Sequence, residues 1–140
     1  MIDSGLDVVG FGDLEADFLR LGAALQGKVS RDAALAGARV VRDRARKVAR
    51  KRTGRLRRNI VTASLPRSQD GATAGIRVRS QGKAGSARNA FYWKFIELGT
   101  SQQVADPFIR PAFDTGIDAI EGAVRTKLAE GVDRAITSGR

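Results

Sequence analysis

Arg42, Arg44, Arg46, Lys47, Arg50, Lys51, Arg52, Arg55, Arg57 and Arg58 crowd into one short stretch in which Asp43 is the only acid. From residue 28 to residue 58, thirteen bases stand against two acids, an excess of +11, whereas residues 1–27 carry five acids and one base. The remainder is close to balanced, at +4 over 59–112 and −1 over 113–140, within a chain of net charge +10. Like charges at this density repel unless something answers them. A nucleic-acid surface, a docking face for an acidic partner, and a helix face that is simply basic and solvated would each do so.

The rest of the chain offers little chemistry. It has no Cys and no His, which removes the thiol nucleophile, the imidazole base and the usual zinc sites. No cluster of acids suits an oxygen-ligated cation, and Glu15 with Asp17 reads as the acidic first turn of a helix. An enzyme would have to work with Glu97, Asp106 or Asp114 near Lys94 and Arg110, and nothing in their spacing demands it. The expectation is a protein with no catalytic role, no cofactor and no metal. With 140 residues, 42% of them apolar, the chain suits one globular domain. Residues 1–12 lack the basic start and apolar run of a signal peptide, and no stretch approaches the roughly 20 apolar residues that span a bilayer. A soluble cytoplasmic product with no membrane partner is expected.

The basic stretch needs a scaffold, and the apolar spacing supplies one. Residues 1–12 hold three glycines and read as an irregular arm. Asp13 reads as a cap, after which Leu14, Phe18, Leu21 and Leu25 form the stripe of an amphipathic helix ending near Gly27. Ser30 reads as the cap of a second helix reaching about Lys51, packed through Ala34, Ala38, Val41, Ala45 and Val48. On another face Arg39, Arg42, Arg46 and Arg50 follow one another at helical spacing, a row of guanidinium groups pointing outward.

Thr53 and Gly54 end that helix, and one further turn covers 55–59. Residues 60–65 and 73–79 read as strands of a hairpin around the turn PRSQDG, the second with Ile76 and Val78 alternating with Arg77 and Arg79. Residues 80–89 (SQGKAGSARN) read as an exposed loop long enough to move. Residues 90–98 (AFYWKFIEL) hold four aromatic residues and suit a short helix or a buried strand equally well. Pro107 and Pro111 punctuate an extended connection, and Ile117, Ile120, Val124, Leu128, Val132 and Ile136 mark a long C-terminal helix. The fold class is α+β: one domain over 1–140, a small antiparallel β-sheet flanked by N-terminal helices, one long and basic, and by a long C-terminal helix.

Three fragments carry a resemblance: TGRL at 53–56, YWKFIELGT at 92–100 and PFIRPAF at 107–113. In order and spacing they resemble the phage tail-component family whose prototype is the gene-ten product of an HK-type lambdoid phage, with relatives among the head-tail joining proteins of long-tailed phages and gene transfer agents. The resemblance spans nearly the whole chain. It implies a virion protein of the neck, a tail-completion, tail-terminator or head-tail joining subunit without catalysis. Such a subunit assembles in the host cytoplasm into a homo-oligomeric ring, a hexamer on a sixfold tail. Its neighbours would be head-connector or stopper proteins and tail-tube proteins, with double-stranded DNA passing through the lumen. The helix before Thr53 is more basic than the family pattern, so a role for its arginines is an inference from this chain alone.

Within that frame Glu97, ahead of Gly99 and Thr100, leaves an aromatic segment taken as buried. A carboxylate there needs a base or backbone N–H groups, as a structural latch or as a subunit contact. Pro107 and Pro111 stiffen a strap carrying Phe108 and Ile109, which packs on its own subunit or on the next. Arg39, Arg42, Arg46 and Arg50 would face the DNA channel or an acidic neighbouring ring. The rival reading is a basic nucleic-acid-binding module, against which stands the lack of aromatic residues within the basic stretch.

Overall fold

The computed structural model describes residues 11–66 and 71–138, with side chains from Leu14 onward. Of the arm expected over 1–12, residues 1–10 lie outside the described part and residues 11 and 12 belong to a helix. That helix, α1, is Phe11–Ala24. It starts ahead of Asp13, which therefore lies within the first turn and does not cap it, and Glu15 and Asp17 fall in the second turn.

No gap separates α1 from the next helix. A π-helical turn, Leu25–Val29, kinked at Gly27 (φ −109°, ψ −115°), leads directly into α2, Ser30–Val48. Ser30 has helical angles (φ −65°, ψ −36°), and its hydroxyl donates to the Gly27 carbonyl at 3.2 Å. It steadies the kink and does not cap a free helix start.

Helix α2 stops at Val48, short of Lys51, because Ala49 turns to an extended ψ of 135°. Val48, expected on the packing stripe, is consequently exposed, and Ala49 takes the buried place beyond Ala38, Val41 and Ala45. Gly54, at φ 75°, starts the short α3, Arg55–Asn59. Strands β1, Ile60–Ser64, and β2, Ala74–Val78, then pair antiparallel with Ile60 opposite Val78 and Ser64 opposite Ala74. The aromatic segment resolves as a helix, α4, Trp93–Leu98. It is followed by α5, Ile109–Asp114, and α6, Ile117–Thr137.

The architecture is α+β. Helix α2 is its axis, packed against α6, both strands and α5. The core joins Val41, Ala45 and Ala49 to Leu56, Ile60, Val78, Ala90, Phe108 and Ala112. Among the described residues no helix is long and apolar enough to cross a membrane.

Small residues set how closely α2 and α6 approach. A methyl group at Gly37 would stand 2.8 Å from Val124 Cγ2 and 3.3 Å from Ile120 Cγ2. One at Gly131 would run into Val29 Cγ1 and stand 3.0 Å from its Cγ2. Valine cannot swing such a methyl aside without leaving its rotamer. Gly37→Ala and Gly131→Ala are each expected to cost about 1–3 kcal/mol in denaturant unfolding. Gly122→Ala, on the same helix α6 with nothing within 4 Å of the added methyl, should instead stabilise by about 0.5–1 kcal/mol. Equal effects at 122 and 131 would refute this account of the helix contact.

Candidate functional site

The fold sorts the basic stretch into two populations. Several guanidinium groups turn inward onto backbone carbonyls. Arg44 Nη2 donates to the carbonyl and hydroxyl of Thr115 at 2.8 and 3.0 Å, tying α2 to the corner between α5 and α6. Arg46 Nε and Nη2 both donate to the Ile60 carbonyl, at 3.0 and 2.7 Å, clamping α2 to the start of β1. Arg57 reaches back from α3 to the Ala49 carbonyl at 2.9 Å and the Lys47 carbonyl at 3.5 Å, closing the C-terminal end of α2.

The expected row of Arg39, Arg42, Arg46 and Arg50 is therefore not one outward file. Arg46 is spent on Ile60, and Arg50 lies beyond the helix end, paired with Asp106 at 3.2 Å. Arg42 bonds Asp43 at 2.8 Å, and its guanidinium holds that carboxyl below the usual carboxylate range. Arg39 keeps an exposed guanidinium with no acid at ion-pair distance among the described residues. Side-chain pitch predicts where an arginine leaves the helix, but its long stem decides where the charge ends.

Glu97 is answered by backbone. Its Oε2 accepts from the N–H groups of Phe108 at 2.7 Å and Ile109 at 3.1 Å, and its Oε1 from Arg110 at 3.2 Å, the open donors at the start of α5. Between them, residues 99–107 make a tight detour. Gly99 (φ 74°, ψ 176°) could not take a side chain, since a methyl would stand 2.7 Å from the Ala105 nitrogen. The Thr100 and Gln103 main chains bond each other at 2.8 and 3.3 Å, and Thr100 Oγ1 accepts from Gln102 N.

Two expectations about this region are corrected. The segment carrying Pro107, Phe108, Ile109 and Pro111 is not an extended strap throughout, because Ile109 opens α5 and Pro111 sits in its first turn. No intrahelical donor is missed at that position, so a proline there does no harm. Phe108 packs into the core of its own chain. The aromatic segment, in turn, is not buried as a whole. Tyr92, Trp93 and Ile96 lean on the core, but Phe91, Phe95 and Leu98 face outward, Leu98 being 77% exposed and nearby Val104 89%.

The 80–89 loop is tethered. Ser80 bridges to Asn89, whose buried side chain donates to the Gly82 carbonyl at 2.8 Å, while Asn59 Nδ2 donates to the Ala87 and Arg55 carbonyls, both at 2.8 Å. Sequence patterning gave no signal for these asparagines.

A groove of about 450 Å³ is lined by Arg50, Arg52 and Arg55 from one segment of the chain and by Tyr92, Phe95 and Ile96 from another. Sequence reasoning missed it, having found no aromatic residues within the basic stretch. The signal was that two motif fragments, TGRL and YWKFIELGT, both contribute to its lining.

A family model described as "Bacteriophage HK97-gp10, putative tail-component" (HK97-gp10-like) matches residues 13–99. The chain belongs to this family. As an HK97-gp10-like protein it is a phage tail component and thus part of the virion. The match runs from within α1 to just past α4 and takes in the arginines and aromatic residues of the groove, and it stops before PFIRPAF, so it is shorter than the resemblance expected from the three fragments. No curated protein and no solved structure matches.

Two outcomes follow for this tail component. Glu97→Ala leaves three N–H groups of the 108–110 turn without their charged acceptor and should cost about 1–3 kcal/mol. Amide hydrogen exchange at Phe108 to Arg110 should rise with it, and unchanged exchange there would show that the cap is not holding α5. Separately, Arg46→Gln should destabilise by about 1–3 kcal/mol through loss of the two hydrogen bonds donated to the Ile60 carbonyl. Arg39→Gln should change unfolding by no more than about 0.5 kcal/mol; similar losses at both positions would contradict the division of the basic stretch.

Proposed function

We propose that this HK97-gp10-like chain is a structural, non-catalytic subunit of the head-tail connector. Copies of it would close into a ring, six on a sixfold tail, that completes or terminates the tail and joins it to the head connector around the DNA channel. Its neighbours in the particle are head-connector or stopper proteins and the tail tube.

The observation that carries this reading is apolar surface left open on an otherwise folded subunit. Helix α6 packs on α2, yet Ile117 and Ile136 near its two ends stay exposed. Large apolar side chains also stand in water on α1, α4 and the 99–107 detour. Exposed patches of this kind mark surfaces that meet another chain. A closed ring would also use the charge: symmetry repeats each subunit's excess around one annulus, and a lumen that passes DNA tolerates a cationic wall.

A nucleic-acid-binding module is the second reading, favoured by Tyr92 and Phe95 standing beside Arg52 and Arg55. The two part company in one pair of measurements. Native mass spectrometry and negative-stain imaging of the purified protein should show a closed ring, with only weak, salt-suppressed binding of short duplexes by dissociated subunits. A protein that stays monomeric at high concentration and is missing from purified particles would remove the ring. Tight duplex binding by that monomer would put the second reading in its place.

A further inference from the structure

The first helix and the groove at α3 and α4 are complementary in both apolar shape and charge. Helix α1 turns one side to α6 and leaves another uncovered. Phe18 is 63% and Leu19 69% exposed, and Leu14 is also open to water. Leu14 and Phe18 are one helical turn apart, the spacing by which amphipathic helices anchor in apolar grooves. Around them the charge is acidic: Glu15 is exposed, Asp17 is partly so and shares an exposed ion pair with Arg20 at 3.6 Å, and residues 1–27 hold five acids against that one base.

The groove answers each property. Its volume of about 450 Å³ lies within the roughly 300–1,000 Å³ typical of sites that receive apolar groups. Tyr92, Phe95 and Ile96 supply an apolar wall, and Arg50, Arg52 and Arg55 a cationic one. Arg50 already has Asp106, but among the described residues neither Arg52 nor Arg55 has a carboxylate at ion-pair distance.

Position decides whose helix fills it. Helix α1 joins the N-terminal end of α2, and the groove lies past its C-terminal end. The 19 residues of α2 put those ends about 28 Å apart at 1.5 Å per residue. We propose that α1 of one subunit docks in the basic, aromatic groove of the next, Phe18 and Leu14 against Phe95 and Tyr92, Glu15 and Asp17 toward Arg52 and Arg55. The contact joins two different surfaces, which is the kind that propagates around a ring. It rests on the ring reading and names the interface that would build it.

The chain has no Cys, so engineered thiols report cleanly. Phe18→Cys and Phe95→Cys are made as separate proteins at exposed positions, dissociated, mixed, reassembled and mildly oxidised. A disulfide-linked dimer is expected from the mixture and not from either variant alone. Adding Arg52→Glu and Arg55→Glu to the Phe95→Cys chain should reduce the link to the level of the single variants, and adding Glu15→Lys and Asp17→Lys to the Phe18→Cys chain should restore it.

No excess link in the mixture, in a preparation that native mass spectrometry shows to be a ring, would overturn the docking and leave the ring intact. A monomeric wild type would overturn both. Loss of duplex binding by the Arg52→Glu, Arg55→Glu protein with its cross-link unchanged would assign the groove to nucleic acid and likewise overturn the docking.

Discussion

A helix whose buried face is mostly alanine and glycine gains little from each side chain it buries, on the order of 0.8 kcal/mol per methyl-sized group. Helix α2 is such a helix, with Ala33, Ala36, Gly37, Ala38 and Ala45 among its buried residues, yet α5, α6 and the hairpin all lean on it. Directional bonds make up the difference. Guanidinium groups donating to carbonyls, each worth roughly 1.5–3 kcal/mol when charge-assisted, fasten α2 to Thr115 through Arg44 and to Ile60 through Arg46. Arg57 fastens α3 back onto the end of α2. The basic stretch is thus in part the fastening of a thin core, and this explains why its density exceeds what a surface alone would need.

That division of labour shapes what is left outside. Arg39, Lys47, Lys51, Arg52 and Arg58 remain exposed, and most of them gather near the C-terminal end of α2, where the helix dipole favours cations. The same corner carries the outward face of α4. Its inner residues and the Glu97 cap hold α5, and therefore Phe108, against the core. One short helix accordingly serves two sides: Tyr92, Trp93 and Ile96 lean inward, and Phe91, Phe95 and Leu98 stand in water.

The parts of this fold that were legible in the sequence are those written in local periodicity. The hairpin shows in alternation around Ile76 and Val78, α6 in its stripe from Ile117 to Ile136, and the separate turn of α3 in the glycine at 54. The end of α2 was not legible, because alanine and arginine favour helix on both sides of Val48 and the stop is closed by Arg57, a tertiary partner. Helix α5 hid behind its prolines, since avoidance of helix before proline says little at a first turn whose donors are taken by a distant Glu97. The need of Glu97 for backbone donors or a base could be reasoned from residue type, but which donors could not. The groove was invisible for a related reason: its walls are separated by about forty residues of chain, and only the fold brings Arg52 and Arg55 beside Tyr92 and Phe95.

Polarity along α2 also bears on how copies of a tail component of this kind can meet. Pairing the basic corner of one subunit with the same corner of another would set Arg52, Arg55 and Lys51 against their own copies, and pairing two α1 helices would do the same with Glu15 and Asp17. Either twofold arrangement places like charges opposite one another at an interface that must lose water, where repulsion is least screened. A head-to-tail arrangement sets acid against base and apolar side chain against apolar side chain in a single contact. Because that contact leaves an unused acidic helix at one end of the chain of subunits and an unused basic groove at the other, it is satisfied for every copy only when the two ends meet. Under the proposed docking, the lopsided charge would therefore oppose pairings of like with like and favour a closed arrangement in which every α1 meets a groove, whatever the number of copies at which the geometry closes.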